Sequence, residues 1–188
     1  KLVEPHFAML WSDAIPVHRE ESATITIVAG QLGDLRAPAP PPHSWASRPD
    51  SAVAIWTIAL AAGGRLALPP GPASVNRSLY FFSGRSLTLD GHAVPPSSVV
   101  SVRPDAAIEL RAGDAGELLL LQGRPIGEPV VQYGPFVMNA PAEIQRAFQD
   151  YQRTGFGGWP WPSQEPVHPR GEGRFARHAD GRVERPRT

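Results

Sequence analysis

No cysteine occurs among the 188 residues, which excludes disulfide stapling, thiolate metal sites and a cysteine nucleophile. Lys1 is the only lysine, so a GxxxxGKS/T phosphate loop, whose lysine reaches the phosphates, cannot be built. No GxSxG turn is present to expose a serine nucleophile. No apolar run approaches the roughly 18 residues of a membrane helix, and no basic-then-apolar leader opens the chain. The formal net charge is zero, which gives nucleic acid little electrostatic footing. These absences lead us to expect a cytoplasmic protein with no direct contact to nucleic acid or membrane.

Metal ligands are also scarce. The stretch LPPGPASVNRSLYFFSG (Leu68–Gly84) contains no histidine, aspartate or glutamate. The six histidines are His6, His18, His43, His92, His168 and His178, and none lies within four residues of another. A metal site needs three or four converging ligands, usually with two close in sequence. We therefore expect no metal, cofactor or catalytic residue in this chain.

Proline (22) and glycine (18) are abundant, favouring short strands and many turns over a helical bundle. TITIVAG (Thr24–Gly30) alternates in period two, as a strand does. RAPAPPPHSW (Arg36–Trp45) is a proline-rich break. AVAIWTIAL (Ala52–Leu60) is apolar at nearly every position and predicts a strand buried on both faces. Further strands are expected at Leu79–Phe82, Ser86–Leu89, Ser98–Val102, Ala107–Leu110 and Glu117–Leu121, with a type I′ hairpin at Asp90-Gly91. Strands spaced about ten residues apart suggest a sandwich or jelly-roll barrel.

One helix is predicted. PAEIQRAFQDYQ (Pro141–Gln152) places Ile144, Ala147, Phe148 and Tyr151 on one face. Asn139 or Ala140 would cap it, and Gly155, Gly157 and Gly158 end it. It reads as a lid or brace, or as a partner-binding helix if its apolar face is exposed. Behind it, GGWPWP (Gly157–Pro162) is either a tail anchor or a stacking surface. PVHPR (Pro166–Arg170) is too short to signify a recognition motif. From Arg170 onward six arginines stand against Glu172, Asp180 and Glu184, a solvated polar tail or an electrostatic arm.

EPVVQYGPFVMN (Glu128–Asn139), followed by Glu143 and Ile144, strongly resembles the C-terminal signature of the pirin family. FGGWPWP (Phe156–Pro162) and GRFARHADGRVERP (Gly173–Pro186) are similar to the ends of bacterial pirin-like proteins. VEPHFAMLWSDAIPV (Val3–Val17) resembles the connector between the two halves of such proteins. Pirins are built of two tandem cupin barrels. The resemblance implies an all-β chain: a connector over 1–21, a cupin jelly-roll barrel without metal over 22–138, and a C-terminal amphipathic helix with an extended tail over 139–188. It further implies that an N-terminal cupin is absent, which in the family holds iron or another divalent metal and in some members oxidises quercetin.

In a metal-binding cupin an HxH pair and a glutamate stand where this chain aligns Leu68, Pro70 and Asn76–Arg77, residues that cannot ligate a cation. The reading is then a structural half of a quercetinase-type dioxygenase, silent by itself. The alternatives are an interaction module of a pirin-type transcriptional co-regulator or a barrel that binds a small ligand. Trp56, Tyr80, Phe82, Tyr133, Phe136 and Met138 are the candidate ligand or inter-domain contacts. Expected partners are the N-terminal cupin half, a regulatory protein, or a second copy in a homodimer.

Overall fold

The computed structural model describes residues 3–4, 6–159, 161–164 and 167–186. Pro5, Pro160 and Pro166, each inside a motif named above, and Arg187 of the arginine-rich tail lie outside them. The chain divides into two compact units, the larger ending at Ile126 and the smaller running from Gly127 and including Val3 and Glu4.

The larger unit is a two-sheet jelly roll. Its strands are β1 (Val17–Arg19), β2 (Ala23–Ala29), the two-residue pair β3 (Gln31–Leu32) and β4 (Leu35–Arg36), β5 (Ala54–Leu60), β6 (Arg65–Leu68), β7 (Asn76–Ser83), β8 (Leu87–Leu89), β9 (His92–Val94), β10 (Ser98–Val102), β11 (Ile108–Ala112) and β12 (Gly116–Gly123). One sheet runs β1-β2-β5-β12-β7-β10 and the other β6-β11-β8-β9, with antiparallel pairing throughout. β1 falls within the stretch expected to be a connector.

Alternation decides which residues fill the space between the sheets. Ile25 and Ile27, Trp56 and Ile58, Leu79 and Phe81, and Leu118 and Leu120 point inward from the larger sheet. Leu66, Leu68, Leu87, Leu89, Ile108 and Leu110 meet them from the smaller one. Each such side chain, fully buried, contributes about 1.5–3 kcal/mol of hydrophobic stabilisation. The expectation that β5 is buried on both faces is corrected. Thr57 and Ala59 are exposed, and only its inner positions are sealed. The outer positions merely happen to be small or β-branched, which strand geometry favours without burial.

Asp90 and Gly91 both take positive φ (47° and 80°) and join β8 to β9, as a type I′ turn requires. Asp90 Oδ1 also accepts the backbone N–H of Glu109 at 2.8 Å, tying the turn to β11.

The smaller unit contains a hairpin, β13 (Val131–Tyr133) with β14 (Phe136–Met138), then α1 (Pro141–Thr154) and a short pair, β15 (Ala176–Arg177) with β16 (Val183–Glu184). The N-cap of the helix is Ala140, whose side chain has no acceptor to offer. Glu143 supplies the cap from inside, its Oε2 accepting the N–H groups of Asn139 (2.9 Å) and Ala140 (2.8 Å). A carboxylate there also meets the positive end of the helix dipole. Gly155 in the left-handed region (φ 54°) ends the helix. No helix among the described residues is long and apolar enough to cross a membrane.

Candidate functional site

Along β2, β5, β7 and β12 the inner face of the larger sheet is apolar until its last inward rung. There Ala54 of β5, Gln122 of β12 and Arg77 of β7 stand in register. Arg77 continues the alternation that buries Leu79 and Phe81, and is itself only 3% exposed. Its Nε donates to Gln122 Oε1 at 2.7 Å, and its Nη1 donates to the Pro69 carbonyl at 2.8 Å. Burial draws the guanidinium pKa down from its ordinary value, because desolvation disfavours the charged form.

Gln122 faces two ways. While Oε1 receives Arg77, Nε2 donates to the Ala52 carbonyl at 2.9 Å. Ala52 is held in the left-handed region (φ 48°, ψ 34°), an arrangement costing an alanine roughly 1 kcal/mol or more. The Ser51 carbonyl beside it receives the N–H of Arg124 at 2.7 Å. The rim is closed by Trp45, whose Nε1 donates to the Arg124 carbonyl at 3.0 Å. Its ring lies 5.1 Å from the Arg48 guanidinium and 5.3 Å from that of Arg124, while Arg124 also pairs with Asp50.

This donor set does not fit a metal ion. Of the positions expected to align with cupin ligands, Leu68 and Arg77 face the interior, and Pro70 and Asn76 are exposed. A hydrocarbon donates no lone pair and a fixed cation repels a second one. Among the described residues, no three His, Asp or Glu side chains are grouped so as to hold a metal. His6, His43 and His92 are exposed, and His18 meets Glu20 at 3.1 Å. His168 lies against Phe175, the rings tilted with centroids 4.4 Å apart, and His178 lies by Glu184 at 3.5 Å.

Within the larger unit, Trp56, Tyr80 and Phe82 do not share one face. Trp56 points into the barrel at 4% exposure, while Tyr80 (37%) and Phe82 (53%) emerge on the opposite face of the same sheet. They cannot line a common cavity, since residues 80 and 82 alternate with the inward 79 and 81. On that outer face Tyr80 pairs in register with Leu119 on one side and with exposed Val99 on the other, giving an apolar stripe.

In the smaller unit Phe136 packs edge-on to Phe148 at 4.8 Å, and Tyr133 reaches the same ring at 5.8 Å. Tyr151 and Phe156 extend the cluster, 5.2 Å apart. Met138 is half-buried on β14. This cluster accounts for the apolar face predicted on the helix: Ile144 and Ala147 are buried, and Tyr151 stays largely exposed.

Sequence reasoning placed Arg77 only as a residue hostile to metal and passed over Gln122. The available signal was a lone arginine in the alternating apolar series Val75, Leu79, Phe81, set against a glutamine directly after LLLL.

Comparison with known proteins gives a consistent result. Residues 55–157 match the family described as the pirin C-terminal cupin domain. The chain is 34% identical to a Pseudomonas aeruginosa protein provisionally named a quercetin 2,3-dioxygenase, over 68% of this chain and 44% of that one. It is 29% identical to a pirin-like protein of Solanum lycopersicum, over 83% of this chain and 53% of the relative. The crystal structure of a quercetin 2,3-dioxygenase from Acinetobacter baumannii superposes with a TM-score of 0.66 at 26% identity, covering 79% of this chain and 49% of that one. The chain thus spans about half the length of the curated relatives it matches.

Proposed function

The chain belongs to the pirin family and carries its C-terminal cupin domain, and on that premise we propose that it is the structural, non-metal-binding half of a quercetinase-type dioxygenase. The observation that carries this reading is the buried Arg77–Gln122 pair at the inner rung of the barrel. A cupin adapted to hold a divalent ion would place neutral or anionic donors there. This one places a permanent cation, and packs the rest of the interior with Leu, Ile, Phe and Trp. Its contribution is then shape: a rigid barrel, filled by apolar side chains except at its Arg77 end, against which a metal-bearing N-terminal cupin closes, excluding water from the reacting centre. The iron or other divalent metal belongs to that partner half, and a cytoplasmic location accompanies the reading.

The test is divalent metal per chain after dialysis against a weak chelator, with quercetin consumption followed in parallel by absorbance. We expect metal far below one ion per chain and no turnover. One tightly held ion per chain, or turnover by this chain alone, overturns the proposal.

The exposed stripe of Tyr80, Phe82 and Val99 supports a second reading, a docking surface for a regulatory protein. The two readings part on whether those side chains become protected when the N-terminal cupin of a relative is supplied in trans.

A further inference from the structure

Two side chains of the barrel interior have fewer protein acceptors than donors. A guanidinium carries five N–H donors. In Arg77 the Nε goes to Gln122 and one Nη1 hydrogen goes to the Pro69 carbonyl, which leaves the Nη1–Nη2 fork without a protein acceptor, at a point that solvent reaches. None of the ion pairs among the described residues involves Arg77. A buried charge without a counter-ion is among the least tolerable features of a folded interior.

The second donor is Trp56, 4% exposed, whose Nε1 has no hydrogen-bond partner. Register sets the two side chains on adjacent inward rungs. Arg77, Gln122 and Ala54 form one, and Leu79, Leu120 and Trp56 form the next. An arginine and an indole N–H therefore face the same interior, both short of an acceptor and neither provided with a carboxylate.

The segment after β6 covers this end. A Cβ built on Gly71 would stand 2.6 Å from Arg77 Nη2 and 3.3 Å from Gln122 Oε1, so glycine keeps a side chain off the open fork. The Gly71 N–H donates to the Pro104 carbonyl at 2.6 Å, which ties this cover to the loop between β10 and β11.

We propose that the Arg77–Gln122–Trp56 end of the barrel is an anion-binding site, taking a small carboxylate or an oxyanion of similar size on the Nη1–Nη2 fork. The planar fork matches two oxygens of one anion, which makes oxyanions better occupants than a spherical halide. The Trp56 N–H supplies a neutral donor from the adjacent rung. This assignment stands independently of the dioxygenase reading, because it concerns only what the interior of this barrel accepts.

The experiment is a titration of the whole 188-residue chain with sodium acetate, sodium phosphate or sodium chloride at constant ionic strength and pH 7. The readouts are the melting temperature and the Trp56 indole N–H resonance, assigned by its loss in Trp56→Phe. A saturable rise in melting temperature and a saturable shift of the resonance with acetate or phosphate, absent with chloride, are the expected result. Saturation at the lower concentration by acetate assigns a carboxylate ligand, and by phosphate an inorganic or phosphorylated one. Arg77→Met, shown folded by circular dichroism, should lose the anion-specific rise. If that variant does not fold, the resonance in the unaltered chain still decides. An equal response to all three salts, or none to any, overturns the proposal and leaves this end of the barrel to water.

Discussion

Replacing Gln122 with leucine removes two bonds and almost no volume, so its cost is readable from the geometry. The bond from Arg77 Nε to Oε1 is charge-assisted and buried, worth about 1.5–3 kcal/mol, and the bond from Nε2 to the Ala52 carbonyl adds about 0.5–1.5 kcal/mol. We expect Gln122→Leu to lose about 2–4 kcal/mol, since Arg77 keeps its charge and loses an acceptor. Arg77→Met in the same background removes that stranded charge and substitutes a similar apolar volume, which should restore most of the loss. The double variant is then more stable than the sum of the two single effects by at least about 1 kcal/mol, a coupling typical of contacting groups. The assay is equilibrium unfolding in urea with chloride as the only anion, followed by circular dichroism and tryptophan emission. A loss of this size moves the midpoint by about 1–2 M for a domain of ordinary cooperativity. Additive effects within about 0.5 kcal/mol, or a Gln122→Leu variant as stable as the parent, would refute the buried-cation account.

Three further outcomes follow from the same structure. Leu118→Ala, at a fully buried inward position, should cost about 2–5 kcal/mol, whereas Leu119→Ala on the outer face should cost well under half of that by the same urea measurement. Ala52→Gly should raise stability by up to about 1 kcal/mol, because it relieves the left-handed conformation, while Ala59→Gly on the exposed side of β5 should lower it by about 0.5–1 kcal/mol. Asp114 accepts the backbone N–H groups of Arg85 and Ser86, and these bonds, with Arg85 nearby, hold its pKa below the ordinary carboxylate value. Folding thus favours the ionised form, so its stabilisation is whole above the unfolded pKa near 4 and is lost as pH falls through the lower folded value. The stability gap between the parent and Asp114→Asn should close on acidification below about pH 4, and a gap constant from pH 6 to pH 3 would contradict the assignment.

Several elements were legible without the fold because their signals are local. Thr24–Ile27 alternates, Asp90-Gly91 is a turn by backbone preference alone, and Ile144, Ala147, Phe148 and Tyr151 share a helical face by spacing. Some of the shortest strands were not legible: β1, β6 and β9 are too short to complete a period, whereas β8, equally short, was marked by the Asp90-Gly91 turn that follows it. The run Ala52–Leu60 misled for a related reason. Apolar composition says that a residue tolerates burial, but not that something covers it, and Thr57 and Ala59 are uncovered.

The candidate site shows the division most clearly. Alternation alone puts Tyr80 and Phe82 on one face and Arg77, Leu79 and Phe81 on the other. Which face is inner depends on the second sheet, and no window along β7 contains it. The sequence by itself determined a β-rich chain without cysteine, with histidines too scattered to suggest a metal site, and with a pirin-like signature across its C-terminal part. Only the tertiary structure decided that Arg77 lies inside, that its acceptor is a glutamine 45 residues away, and that Trp56 faces the same interior as that arginine. The physical reason is that periodicity records the local backbone, whereas burial and charge pairing are settled by strands that meet only when the barrel closes.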